Sequence, residues 1–439
     1  MSVRSLPKPQ GFKKPTASSG SPFKKKSFWS MFGPGLVTGA SDDDPSGIAT
    51  YSQVGAQFGY GLLWAMWFSY PFMAVIQEIS ARVGRVTGVG LAGNLKAHYP
   101  RPLLHTILGL MLTANVLNLG ADIGAMAAAT QLVFAGGAWI YICFFGLSSL
   151  ALQMYVPYTR YVKYLKWLTL SLFAYIATAF FVHISWRQAL HATVVPPFVW
   201  NREYFVSLIA VLGTTVSPYL FFWQASQEVE EVACNDDQEP LKRSPRQAPA
   251  QLERIRWDTY VGMAFSNLVA FFIILTAAAT LHVRGITEVA SAAQAAQALS
   301  PLGGRWAVGF FVAGIIGTGM LAIPVLAGSA AFAMGESFRW RASLEDQPAQ
   351  APRFYLAIVV ATVVGILLNF LHLDPIRALF WSAVVNGALA APMMAVIVHM
   401  AASKKVMGRF VIPLPLRIVG WAGTLVMFIA CLGVFATLK

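Results

Sequence analysis

The sequence predicts an all-α polytopic membrane protein with 11 transmembrane helices. Three observations lead to this fold class: the composition, the length of the apolar runs, and the distribution of positive charge between loops. Of the 439 residues, 56% are hydrophobic and only 12% are charged, whereas soluble domains carry about 25% charged residues. The net charge of +13 does not indicate nucleic-acid binding, because the basic residues are spread over alternate loops instead of forming a patch on a soluble domain.

Apolar runs of about 18–25 residues are long enough to cross a bilayer. Such runs predict spans near 31–57, 61–84, 103–134, 138–157, 164–183, 204–231, 257–281, 305–335, 354–372, 376–401 and 415–437. Most Lys and Arg residues fall in the loops on the same side as the N-terminus, and the opposite loops hold only Arg187, Arg202, Arg284, Arg305 and Arg377. This asymmetry predicts an integral protein of a bacterial-type inner (plasma) membrane, with a cytoplasmic N-terminus and an external C-terminus.

The segments between and before the spans also carry expectations. Residues 1–28 are basic and rich in Pro, Ser and Gly, which predicts a disordered cytoplasmic tail in contact with anionic lipid headgroups. Residues 232–256 are expected to be a polar cytoplasmic loop. The Ala-rich residues 287–299 are expected to form a short helix over the external mouth, acting either as a gate or as a passive loop. Oligomeric state is left open.

The first span contains an unusual group of charges. Aspartates 42–44 lie near the middle of the apolar stretch 33–58 and are followed by Pro45 and Gly47. A charge near the bilayer centre costs at least about 2.5–3.5 kcal/mol, and Pro and Gly break a helix. A carboxylate at a broken helix is a way in which transporters build a cation site. The alternative is that the acids mark a loop and the span begins after Ile48.

The sixth span repeats this pattern. Its centre, residues 213–219 (GTTVSPY), places small and hydroxylated residues before Pro218 in mid-membrane. A lone proline is often only a kink, but interrupted helices at positions one and six indicate a 5+5 inverted repeat with a binding site at the midplane.

Residues 33–90, which include GPGLVTGASDDDPSGIATYSQVGAQFGYGLLW and ARVGRVTG, resemble the first two helices of the natural resistance-associated macrophage protein (Nramp) family of divalent-metal transporters. In that family the first break is Asp-Pro-Gly-Asn and the sixth-helix break is Met-Pro-His. The resemblance implies a LeuT-type fold with a ten-helix core over 29–402 and one additional C-terminal transmembrane helix in 403–439. It also implies transport of a divalent cation by alternating access, with no cofactor apart from the transported ion.

The two breaks depart from the family pattern. Asp44 and Pro45 match its aspartate and proline, but Gly47 stands at the asparagine, Ser217 at the methionine and Tyr219 at the histidine. A thioether is a soft ligand suited to transition metals, and its loss leaves an oxygen-only site suited to an ion that keeps several waters, as Mg²⁺ does. The pattern resembles the Nramp-related magnesium transporter branch. We expect Mg²⁺ as the favoured substrate and Mn²⁺ as a second one; a proton-coupled Mn²⁺/Fe²⁺ importer and a carrier of a small organic solute are the alternatives.

The expected metal-site residues lie on three spans: Asp44, Gly47, Thr214, Ser217, Tyr219 and Asn386. A possible ion path comprises Asp43, Asn118, Asp122, Glu228 and Glu231. Each of these residues could instead have a purely structural role. Asp122 could be a buried acid bonded to a neighbouring helix, and the two glutamates could form a charged helix end at the headgroups. Asn386 could lie in a helix-packing face. The register of the resemblance selects Asp44 over its two neighbours, since three consecutive helical residues cannot point one way.

The positions of the histidines bear on whether transport is coupled to protons. The seven histidines lie near span ends or in loops, so no imidazole is expected at depth, and we expect potential-driven entry without strong proton coupling. An enzyme is disfavoured because the sequence has no metalloprotease His pair, nucleophile elbow or Gly-rich phosphate loop. A channel would require a ring of filter residues, whereas paired broken helices favour a carrier.

Overall fold

The computed structural model describes residues 34–157, 160, 169–235, 237–371 and 374–437, and these form helices and no strand. In chain order the α-helices are α1 Pro34–Asp42, α2 Pro45–Phe58, α3 Trp64–Thr87, α4 Leu91–His98, α5 Arg101–Thr130, α6 Ala138–Tyr155, α7 Phe173–Phe181, α8 Trp186–Val194, α9 Arg202–Thr215, α10 Pro218–Cys234, α11 Ala248–Thr280, α12 Ala292–Ala296, α13 Gly304–Phe338, α14 Pro352–Leu368, α15 Pro375–Ala402, α16 Lys404–Met407 and α17 Leu414–Ala436.

Eight helical stretches within these ranges are long and apolar enough to cross a membrane. The first and second predicted spans, which correspond to α1 with α2 and to α3, are not among the eight, and the fifth is described only in part, over 169–181. The all-helical membrane fold is therefore confirmed, and the count of 11 spans stays a prediction. The N-terminal tail of residues 1–28 lies outside the described residues.

Both predicted helix breaks are confirmed. The first span is helical up to Asp42 and again from Pro45, with Asp44 between them in extended conformation. The second is helical up to Thr215 and again from Pro218. Proline begins each second half because it needs no helical N–H partner in the first turn. The alternative in which the first span begins only after Ile48 is wrong.

Close backbone packing holds the broken helices in place. The two halves of the first span, α1 and α2, both lie along α11. A Cβ added to Gly39 would overlap the backbone of Gly262, and one added to Gly55 would overlap the carbonyl oxygen of Ile274. Glycine at these two positions thus lets both halves approach α11 at backbone distance.

Helix α9, the first half of the second broken helix, is held in the same way. A Cβ added to Gly213 of α9 would overlap the backbone of Ala383 and Gly387 on α15. The last long helix, α17, covers α15 and α3 from outside. The division of a ten-helix core from an additional helix at residue 402 remains a prediction.

The expected polar loop over 232–256 is wrong at both ends. Helix α10 extends to Cys234 and α11 begins at Ala248, nine residues before the predicted start of the seventh span. The reason is local: a proline at the first turn suits a helix start, and Ile255 is buried. The remaining connection is packed, since the buried Leu241 donates its N–H to the Arg85 carbonyl at 3.2 Å.

The short Ala-rich helix expected over the external segment is confirmed as α12. It is tied to the first broken helix, because Gln53 of α2 accepts the N–H of Val289 at 2.7 Å and donates to the Thr287 carbonyl at 3.2 Å.

Candidate cation site at the two helix breaks

The carboxylate of Asp44 lies between the two breaks, buried with 2% of its surface exposed. Its Oδ1 accepts the N–H of Gly47 at 2.8 Å, as the N-cap of α2. Its Oδ2 accepts the hydroxyl of Tyr219, from the first turn of α10, at 3.1 Å. The structure therefore brings together Asp44, Gly47 and Tyr219, three of the residues predicted for the site, and fixes the carboxylate in one orientation.

Thr214 joins this group from the end of α9. A Cβ added to Gly47 would lie 3.2 Å from Thr214 Oγ1 and 3.3 Å from the Tyr51 ring, so the bare glycine lets the two breaks meet. Thr214 Oγ1 is buried and has no hydrogen-bond partner among the described residues. It is thus a neutral oxygen beside the first break.

Ser217 is placed differently from the expectation, whereas the role expected for Asn386 stays a prediction. The Ser217 hydroxyl donates back to the end of its own helix, 2.9 Å from the Thr214 carbonyl and 3.1 Å from the Gly213 carbonyl. Asn386 is buried on α15 beside Gly387, whose backbone packs on Gly213. The close packing of Gly387 on Gly213 shows that this segment contacts α9 at backbone distance.

Two buried polar residues of α5, Asn118 and Asp122, have side chains without a hydrogen-bond partner among the described residues. Asp122 interacts electrostatically with Asp44, and both its carboxylate oxygens are buried without a hydrogen-bond partner among the described residues. Asn118, one turn earlier, is fully buried, and its amide nitrogen and oxygen also have no hydrogen-bond partner among the described residues. The alternative of an Asp122 hydrogen-bonded to a neighbouring helix is wrong for the described residues.

The other two aspartates of the first break share one hydroxyl. Ser266 Oγ of α11 lies 2.7 Å from Asp42 Oδ2 and 3.1 Å from Asp43 Oδ1, and all three residues are buried. Ser266 was not identified from the sequence. The signal that could have found it is its position one turn after Gly262, the close-packing residue of α11.

The glutamates at the end of α10 form ion pairs. Glu228 is fully buried, and its Oε2 lies 2.6 Å from Arg254 and 4.0 Å from Arg85. Arg254 also lies 3.3 Å from Glu231. The expectation of a charged helix end at the headgroups is wrong for Glu228, because two arginines compensate its charge inside the protein. From the sequence alone, Arg85 and Arg254 are expected to be loop charges.

A sulfur atom also lies close to the first break. A Cβ added to Gly319 of α13 would lie 2.7 Å from Met126 Sδ and 3.2 Å from Pro45 Cγ. Met126 follows Asp122 by one turn of α5, and the family pattern, which has its methionine at position 217, does not point to it. Its i+4 spacing from Asp122 was the available signal.

The donor set limits what could bind here. Within the described ranges, no three His, Cys, Asp or Glu side chains converge as a metal-holding group. A cation at Asp44 would thus have one or two carboxylates and complete its shell with neutral oxygens and water, which suits a hard, hydrated ion.

Two interrupted helices whose ends meet at a buried carboxylate define a class of protein: a membrane transporter of the inverted-repeat type, and not an enzyme. The model of the natural resistance-associated macrophage protein-like family matches residues 35–437. The chain belongs to this family.

Comparisons with individual proteins agree. The chain is 26% identical over 407 residues to the divalent metal cation transporter MntH of Klebsiella pneumoniae, with 89% of this chain and 90% of the relative covered. It is 27% identical to the MntH of Verminephrobacter eiseniae, with coverage of 86% and 82%. The fold matches the crystal structure of the Eremococcus coleocola manganese transporter with a TM-score of 0.73 at 16% identity, covering 94% of this chain and 88% of that one. It also matches MhsT in complex with L-phenylalanine, at a TM-score of 0.61 and 12% identity over 91% and 98%, which supports the LeuT-type fold.

Proposed function

We propose that this protein moves divalent metal cations across the membrane by alternating access, with Mg²⁺ as the favoured substrate, Mn²⁺ as a second one, and no strong coupling to protons. The observation that carries the proposal is the Asp44 carboxylate, buried between two broken helices and oriented by Gly47 and Tyr219. Relatives at 26–27% identity are named as divalent metal cation transporters, which supports the cation class.

The preference for Mg²⁺ is supported by the oxygen atoms around Asp44. The second break contributes the Thr214 hydroxyl and the Tyr219 phenol, and no thioether stands at position 217. Mg²⁺ dehydrates reluctantly and binds through one or two carboxylates while keeping waters. Glycine at position 47, in place of an amide side chain, supplies no side-chain ligand that would replace one of these waters.

A second candidate, a Mn²⁺-selective importer, is favoured by Met126. Its sulfur lies beside Pro45, and a thioether contributed by α5 would favour Mn²⁺ over Mg²⁺. The solved relative is named as a manganese transporter. An organic solute with a carboxylate is disfavoured, because Asp44 would repel it at the break.

Independence from protons is supported by the polar groups around Asp44. The site residues described above contain carboxylates, hydroxyls and an amide but no imidazole, the side chain that ordinarily titrates near neutral pH. The membrane potential alone then drives entry of a divalent ion. We further propose a bacterial-type inner membrane location with the N-terminus inside and the basic residues 1–28 on anionic headgroups, as the charge of the loops favours.

The test is Mn²⁺ uptake into proteoliposomes, with Mg²⁺ added as competitor. Low-millimolar Mg²⁺ is expected to block uptake, and Asp44→Ala is expected to abolish it. Mn²⁺ uptake that Mg²⁺ does not reduce would instead support the Mn²⁺-selective candidate. A chain that moves neither ion would overturn the cation proposal.

A further inference from the structure

We propose that Lys96, Arg101 and Arg339 form a binding site for the phosphate group of an anionic membrane phospholipid. The site lies at the corner where α4, the start of α5 and the end of α13 pack together. It shares no residue with either helix break or with the N-terminal tail, so it does not depend on which ion the protein moves.

Three basic side chains from three helices lie close together at this corner. Lys96 of α4 donates an ammonium N–H to the carbonyl of Ser337, two residues before Arg339. Arg101 begins α5, shortly after α4 ends. Burial and the positive charges of Arg339 and Arg101 lower the pKa of Lys96, which means that both arginines lie within electrostatic reach of the ammonium group.

No ion pair within the described ranges includes any of these three cations. Glu336, one turn before Arg339, is buried and accepts hydrogen bonds from two other residues. All three basic residues are exposed. Like charges at short range repel one another, so an anion bound among them would relieve a repulsion that the protein leaves in place.

The backbone of Arg339 gives an independent reason to expect a ligand for its side chain. Arg339 follows the last residue of α13 with φ of 60° and ψ of 40°, and among the described residues it is the only one other than glycine with a positive φ. This left-handed conformation is unfavourable for an L-residue, and glycine usually occupies it at the end of a helix. Strained backbone of this kind is concentrated at functional sites. An arginine here therefore indicates a use for the guanidinium group.

Aromatic residues favour a position at the level of the lipid headgroups. Phe338 and Trp340, on either side of Arg339, stack with their ring centroids 5.2 Å apart, and Phe338 is 54% exposed. They directly follow the apolar span of α13, and tryptophan is enriched at the interface between hydrocarbon and headgroups. A guanidinium binds a phosphate through paired N–H groups, and a lysine adds a point charge. This combination suits a phospholipid better than a free ion.

The same corner is bonded to the second broken helix. Glu336 accepts the hydroxyl of Ser226 on α10 at 2.8 Å and the N–H of Gly93 on α4 at 3.0 Å. A phosphate that holds α4 against α13 would therefore also stabilise the position of α10. Because a ligand that binds only the folded state raises its stability, thermal unfolding is a suitable measurement.

The experiment measures the melting temperature of the purified full-length protein in neutral detergent, with dioleoylphosphatidylglycerol or dioleoylphosphatidylcholine added in increasing amounts. The native protein is expected to melt at a higher temperature with phosphatidylglycerol only. Lys96→Gln and Arg101→Gln are each expected to weaken the apparent affinity for phosphatidylglycerol about fivefold. Arg246→Gln, which removes an exposed cation of another segment, should leave that affinity unchanged.

Arg339→Gly separates a ligand-binding role from a structural one. Glycine adopts a positive φ without strain, so the variant should melt at the native temperature or above it when no lipid is added. The increase produced by phosphatidylglycerol should nevertheless become smaller, because the guanidinium is gone. A lower melting temperature without lipid, together with an unchanged increase on adding phosphatidylglycerol, would show that Arg339 is only structural and would overturn the proposal.

Three further outcomes would also overturn it. One is a native protein that phosphatidylglycerol stabilises no more than phosphatidylcholine does. Another is an increase that persists in all three variants, which would assign the lipid to other basic residues, such as those of 1–28. The third is an equal increase with inorganic phosphate alone, which would identify a free anion as the ligand. None of these measurements requires metal transport, so the proposed function is tested separately.

Discussion

Single residues set the chemistry of the first break, and the carboxylate of Asp44 has two roles there. Through Oδ1 it caps α2, and through Oδ2 it accepts the Tyr219 hydroxyl. An incoming ion must share or displace these donors. Tyr219 is predicted as a metal ligand, and in this structure its hydroxyl is a hydrogen-bond donor to the Asp44 carboxylate.

Replacing Tyr219 with Phe is expected to tighten ion binding. The variant removes a donor to a charged group, an interaction worth about 1.5–3 kcal/mol, and we expect the Kd for Mn²⁺ to fall about tenfold. Isothermal titration calorimetry measures this directly. Tyr70→Phe is the control, because the Tyr70 hydroxyl donates to a backbone carbonyl elsewhere. A weaker Kd would show that the phenol oxygen itself binds the ion.

Replacing Met126 with Leu distinguishes the two candidate substrates. Leu keeps the volume, and such swaps usually cost less than about 1.5 kcal/mol of stability. If oxygen atoms alone hold the ion, the ratio of Mn²⁺ to Mg²⁺ affinity should stay within about twofold of the native value. Met111→Leu, on the same helix, is the matched control. A selective loss of Mn²⁺ affinity would make the Met126 sulfur a ligand and favour the Mn²⁺-selective importer.

Helices α1, α10 and α11 are connected to one another at the ends of α1 and α10 that lie away from the two breaks. The N–H of Gly35 at the start of α1 donates to Asp258 of α11 at 2.7 Å. Asp258 lies 3.9 Å from Arg254, which pairs in turn with Glu228 of α10. One chain of contacts thus joins the start of α1 to the last turns of α10 through Asp258 and Arg254 of α11.

Replacing Arg254, which pairs with both Asp258 and Glu228, should destabilise the protein strongly. In Arg254→Gln the buried Glu228 loses its nearest positive partner, and breaking a buried pair costs about 3–5 kcal/mol. We expect a large drop in melting temperature that Glu228→Gln in the same chain partly restores. Arg377→Gln breaks an ion pair whose side chains are 60% and 66% exposed, which is worth about 0–1 kcal/mol. Equal effects of Arg254→Gln and Arg377→Gln would contradict the stabilising role of the buried pair.

The sequence predicts elements better than contacts between them. Helix positions and both breaks follow from local signals, namely apolar runs interrupted by acids and by Pro45 or Pro218. The partner of Asp42 and Asp43 is 223–224 residues away on α11, and no local pattern relates them. The sequence around Glu228 indicates a solvated helix end, because the two arginines that pair with Glu228 belong to other helices. Such pairings depend on tertiary packing, which the pattern of one segment does not contain.

At the scale of the whole molecule, the proposed orientation can be tested with a native reporter. Of the three cysteines, Cys234 is exposed at the end of α10, whereas Cys143 and Cys431 are half-buried within apolar helices. With the N-terminus inside, the end of α10 lies on the cytoplasmic side. A membrane-impermeant maleimide is expected to label intact cells only after permeabilisation, and Cys234→Ser should remove the label. Labelling of intact cells at Cys234 would reverse the topology.

The membrane potential should govern the rate of transport. A divalent ion that crosses the whole membrane gains about 4.6 kcal/mol per 100 mV, and within the described ranges the hydrogen-bond partners of the Asp44 carboxylate, Gly47 and Tyr219, include no imidazole. In proteoliposomes, an inside-negative potassium diffusion potential is expected to raise the initial rate of Mn²⁺ uptake several-fold, and an imposed pH gradient at zero potential should not. Asp44→Asn is the control for leak, since it should respond to neither. Uptake driven by the pH gradient, and lost in Asp122→Asn, would show that the unpartnered Asp122 carries a proton with the metal and that the protein is a symporter.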